Sequence, residues 1–178
     1  MDIISYESAY HWLNIYDGSH LAESNEHLVR VLNVSLGDNK TKEAWHVIGR
    51  LKTNSEHITD EMEVGEIYTA CGRAAYKLGD SPVSAAYFED AILRYGWRTH
   101  HAAVVGWLLG YSYWDISGKK RDTFKVWGDS IRMFEELSHR SVLAQESLAW
   151  YGVRVEEMKS TLLCYQDEDC GPGKRASG

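Results

Sequence analysis

A chain of 178 residues is long enough for one domain with a sizeable core, or for a short array of repeated units that share one. With 44% hydrophobic and 25% charged residues it reads as globular rather than disordered, and a formal charge of -7 without any cluster of Lys and Arg argues against a nucleic-acid surface. No apolar run approaches the roughly 18 residues of a membrane span, and the start MDIISYESAYHWLNIYDG has no basic leader, so a cytoplasmic protein without membrane contact is expected.

Two prolines, Pro82 and Pro172, and no sustained alternation of polar and apolar residues predict an all-α chain of about eight helices. The first two span Ile3 to Tyr16 and Ser19 to Leu36, with Gly18 as the stop between them and Ser19 as a cap. A short helix over Lys42 to Leu51 puts Ala44, Trp45, Ile48 and Leu51 on one face, and KTNSE ends it. A longer one, Thr59 to Leu78, opens on Asp60, Glu61 and Glu63, which suit its positive end and read as a solvated first turn.

GDSP is the clearest boundary: Gly79 closes a helix in the left-handed conformation, Ser81 caps the next, and Pro82 stands in its first turn. That helix runs to Tyr95 and Gly96. Helices over Thr99 to Ile116, Asp122 to Leu137 and Arg140 to Leu163 complete the set, with SGKKRD as a solvated turn. The division expected is a single helical-repeat domain over 1–165, with a flexible tail over 166–178 that has too few apolar groups to bury. Cys71, Cys164 and Cys170 make an odd count without a CxxC pair; this fits a reducing compartment better than a disulfide framework, with Cys71 as a small core residue.

An internal repeat organises the middle of the chain. Gly72 is followed by Gly79, Phe88 and Ala91, and Gly110 by Gly118, Trp127 and Ser130, the second series carrying one added residue in its turn. The two glycines that open the series are 38 residues apart. Tyr68, Cys71, Gly72, Gly79, Phe88 and Ala91 in one copy, and Leu109, Gly110, Tyr113, Trp127 and Ser130 in the other, resemble the tetratricopeptide repeat. In that family a small residue on the first helix of a pair lets a bulky one on the second pack closely. The copy at 66–96 has Ala75 where the family favours an aromatic and Ser84 where it favours alanine. The copy at 104–137 has Gly106 where a large residue is usual, and neither copy ends in the family's proline. AWHVIG, Ala44 to Gly49, also looks like a repeat opening, so 1–58 and 139–165 become degenerate or capping helices. The resemblance implies antiparallel helix pairs stacked as a right-handed superhelical array, with the first helix of each pair on a concave side.

Enzymatic constellations are poor. No HExxH or phosphate-binding glycine loop occurs; Glu7 and His11 share a helix face but read as surface contacts, and His100 and His101 as capping or solvated groups. No catalytic residue, metal or cofactor is therefore expected. What remains is a surface: the register implied by the family puts Arg73, Tyr76 and Lys77 of one copy and Trp107, Tyr111 and Trp114 of the other on the concave face. Arg73 and Lys77 would hold a carboxylate beside an aromatic wall, while the aromatic stripe reads equally as groove or as core. The function expected is a non-catalytic scaffold or adaptor that binds a protein or peptide partner. The alternative is a regulatory sensor domain closing on a small ligand or signalling peptide, and apolar array ends would favour a homo-oligomer.

Overall fold

The computed structural model describes residues 3–14, 20–140, 142–168 and 170, and among these every regular element is helical. In chain order they are α1 (Tyr6–His11) with a 3-10 turn (Trp12–Asn14), α2 (Glu23–Gly37), α3 (Thr41–Ser55) and α4 (Glu61–Lys77). There follow α5 (Ser81–Tyr95), α6 (His100–Trp114), α7 (Lys120–Ser138) and α8 (Gln145–Gln166). No helix among the described residues is long and apolar enough to cross a membrane.

Local chemistry sets the boundaries. Asp60 caps α4 by accepting from the Met62 amide at 2.9 Å, Asp80 caps α5 from Val83 at 3.1 Å, and Thr99 caps α6 from Ala102 at 3.1 Å. Asp80 thus takes the capping role expected of Ser81, whose place is inside the first turn beside Pro82. α3 ends within KTNSE, at Ser55, one turn beyond the Leu51 expected. The expected cap Ser19 and stop Gly18 lie outside the described residues.

Helices pack as consecutive pairs, α2 with α3, α4 with α5 and α6 with α7, while α8 covers α7 and each pair also touches the next. A left-handed residue follows the opening helix of every pair: Asn39 at φ 57°, Gly79 at 81° and Gly118 at 79°. The pairing places AWHVIG on α3, the closing helix of its pair, so that segment does not open a repeat as expected. The opening helix there is α2, whose turn uses asparagine in place of glycine.

Within the middle pairs, glycine creates the close approach that the spacing predicts. A Cβ on Gly72 would stand 2.7 Å from the Phe88 ring, and one on Gly110 would overlap the Trp127 indole. Both glycine carbonyls gain a hydroxyl from the partner helix, Ser84 Oγ donating to Gly72 at 2.8 Å and Thr123 Oγ1 to Gly110 at 2.9 Å. Ser84 therefore has a bonding role at a place where alanine would serve only as a spacer.

The larger core surrounds α6, whose residues are buried without a break from His100 to Ser112. Phe88, Trp127, Phe134, Tyr151 and Met158 close round it, together with Ile4, Ala9 and Trp12 from the N-terminal segment. A smaller core joins α2, α3 and α4 through Leu32, Leu51 and Ile67. His100 and His101 are interior rather than solvated, at 7% and 4% exposure. Glu63 is buried as well, accepting from the Ala22 amide at 2.8 Å and from Asn25 Nδ2 at 3.0 Å, so of the three acidic residues that open α4 it joins α2 while Asp60 and Glu61 are exposed as expected. At the other end Cys164 and Cys170 form a disulfide with Cα atoms 5.4 Å apart, and Cys170 is buried. This corrects the expectation of unpaired cysteines and ties down the start of the segment expected to be a flexible tail; 171–178 lie outside the described residues.

Candidate functional site

Arg73, Tyr76 and Lys77 occupy one face of α4 at the spacing of a single helical turn, so their side chains rise together. Across that face lies the N-terminal segment. Glu7 of α1 bridges the two cations, with Oε2 3.2 Å from Arg73 Nη2 and Oε1 3.3 Å from Lys77 Nζ. Burial works to raise the Glu7 carboxyl, but the neighbouring Arg73 and Lys77 outweigh it and hold the group below the ordinary carboxylate value. Arg73 also donates to Asn33 Oδ1 at 3.3 Å and lies 4.2 Å above the ring of Tyr10, a cation held by α2 and by the aromatic of α1.

The ring of Tyr6 stacks on Tyr76 at 4.2 Å with 13° between planes, and meets Tyr111 edge-on at 5.8 Å. Among the described residues its buried hydroxyl has no hydrogen-bond partner, and neither has Nε of Arg73. Main-chain groups are held too. The Ile4 amide donates to Thr161 Oγ1 of α8 at 3.2 Å, and the Ile4 carbonyl accepts from the Tyr111 hydroxyl of α6, which itself accepts from Trp107 Nε1 at 3.2 Å.

Trp12 fills the far end, tilted against Phe134 at 5.7 Å and edge-on to Trp150 at 5.8 Å. Its carbonyl lies 2.6 Å from His100 Nε2, and Tyr151 Oη lies 2.8 Å from His100 Nδ1. Since a carbonyl only accepts, Nε2 carries the proton and Nδ1 accepts from the tyrosine in the neutral ring. His100, read from sequence as a cap, thus grips the N-terminal segment from the centre of the molecule.

The candidate residues separate into two groups. Arg73, Tyr76 and Lys77 come together and contact one segment, Arg73 with 16% and Lys77 with 38% of its side chain exposed. Trp107 and Tyr111 are core residues, the first fully buried and stacked on Trp127 at 4.4 Å. Trp114 is half-buried, covered by Tyr165 of α8 at 4.9 Å and by Lys120 at 4.5 Å from its ring. On α4 the three residues share the side that the N-terminal segment covers, and on α6 Trp107 and Tyr111 are enclosed by that segment, α7 and α8.

Glu7, which shares a helix face with His11, is committed to Arg73 and Lys77. Among the described residues no group of three or more His, Cys, Asp or Glu is placed to hold a metal ion. Burial pushes the Cys71 thiol up to about 12, which leaves it protonated and unreactive at neutral pH. Compared with protein-family models, curated proteins and solved structures, the chain matches none.

Proposed function

We propose that this protein is a non-catalytic interaction module, a tetratricopeptide-like array of helix pairs that binds a peptide segment on the face formed by α4, α6 and α8. The observation that carries the reading is the seating of residues 3–14 on that face. The segment is held by an ion-paired carboxylate, a stacked ring, an anchored indole and main-chain bonds at Ile4 and Trp12. These are the means by which a groove holds a foreign peptide, and here they act within one chain. Support for the array comes from three successive helix pairs, the left-handed turn residue in each, and the glycine-against-aromatic crossings at Gly72 and Gly110.

The test is capture from native lysate by the wild-type chain, by Glu7→Ala, which releases the cations, and by Arg73→Ala with Lys77→Ala. A partner retained better by Glu7→Ala and lost by the double variant supports this face. A partner held equally by all three binds elsewhere.

A sensor role has one observation in its favour. A cavity of about 160 Å³ adjoins the same segment, lined by Tyr10, Leu13, Thr69, Tyr95 and His101. A small ligand that raises the melting temperature would support the sensor reading.

A further inference from the structure

The N-terminal segment is an imperfect occupant of its own groove. The Tyr6 hydroxyl is buried with no hydrogen-bond partner among the described residues, and a polar group taken out of water unpaired is destabilising. Glu7 divides its two oxygens between Arg73 Nη2 and Lys77 Nζ, leaving Arg73 Nε without a partner although guanidinium can pair with a carboxylate through two parallel bonds. The helix carrying both residues is only six residues long, too short to hold its shape without the face beneath it.

We propose that residues 3–14 are a self-supplied occupant that a partner segment displaces, and that the displacing segment bears an aromatic ring without a hydroxyl in the place of Tyr6, followed directly by a carboxylate. The proposal rests on the peptide-binding reading above and adds the chemistry of the partner. A phenyl ring keeps the stack on Tyr76 and removes the orphan hydroxyl. A carboxylate free of the α1 backbone can span Arg73 Nε and a terminal nitrogen together. The occupant and the partner then compete, so the free groove is offered only to a segment that satisfies more of its groups than residues 3–14 do.

The probe is a fluorescein-labelled peptide of residues 3–14, in its own sequence, with Tyr6→Phe, and with Glu7→Gln. Each is titrated by anisotropy against the full chain carrying Tyr6→Ala and Glu7→Ala, whose helicity is checked first. The phenylalanine peptide should bind at least about threefold more tightly than the native one, the gain from losing an unpaired hydroxyl. The glutamine peptide should bind at least about threefold more weakly for want of its charge-assisted bonds, and this difference should vanish when the chain also carries Arg73→Gln and Lys77→Gln.

Equal binding of all three peptides, or none to the folded chain, overturns the proposal. Should the doubly substituted chain not fold, the unsubstituted chain decides: saturating phenylalanine peptide must speed amide exchange in Tyr6–His11, and unchanged exchange overturns it. If a partner captured from lysate in an Arg73-dependent manner is not displaced by the phenylalanine peptide, the peptide-binding reading stands and this inference fails.

Discussion

Gly110 and Gly128 stand on neighbouring helices, yet replacing each with alanine should act in opposite directions. A Cβ at Gly110 meets the Trp127 indole, so Gly110→Ala should lower stability by about 1–3 kcal/mol through overpacking. A Cβ at Gly128 meets nothing within 4 Å, so Gly128→Ala should raise it by up to about 1 kcal/mol as helix propensity improves. Urea unfolding of the two variants checks the signs. Ser84→Ala and Thr123→Val each remove a hydroxyl from a buried glycine carbonyl and should cost about 1 kcal/mol apiece in the same assay. The spacing from glycine to Phe88 and to Trp127 was legible in the sequence because those contacts fall within one helix pair. The burial of His100 was not, since its partners Trp12 and Tyr151 are distant in the chain.

Among the elements, α1 depends on the charge of one carboxylate. The Glu7 pKa lies below its ordinary value in the folded chain, so its ion pairs stabilise docking fully above that value and are lost as pH falls through the folded pKa. Exchange of the α1 amides, corrected for intrinsic rate, should therefore accelerate below about pH 4. Glu7→Gln should show the faster exchange already at neutral pH and no such step. The C-terminal end of α8 makes a separate prediction. The native protein should resist alkylation, expose Cys164 and Cys170 after reduction, and yield Cys71 only on unfolding, with mass spectrometry counting the thiols. Helix existence was readable from caps and apolar stripes. Between groove and core, the two readings open for the aromatics of α6, burial from His100 to Ser112 favours core for Trp107 and Tyr111, because a helix apolar on every side requires cover all round. Both helices of the pair α2–α3 were expected, but not as a pair, because Asn39 makes the left-handed turn between them without the glycine that marks the others.

At the scale of the molecule, three helix pairs and α8 form a body, and residues 3–14 lie along a face that joins its parts. Ile4 bridges α6 and α8, Glu7 reaches α4, and Trp12 meets α6, α7 and α8. The register implied by the family resemblance could put Arg73, Tyr76 and Lys77 on one face but not supply the segment that covers it, since the partners of Arg73 and Lys77 include a residue 66 positions away from Arg73. A displaceable occupant must be separable from the body it covers. Native-state hydrogen exchange of the intact chain across a denaturant series tests that requirement. Amides of Tyr6–His11 should open by a local route, with a free energy well below that of the α6 amides and little dependence on denaturant. Identical opening free energies for α1 and α6 would make the segment an inseparable part of the core and contradict a displaceable occupant.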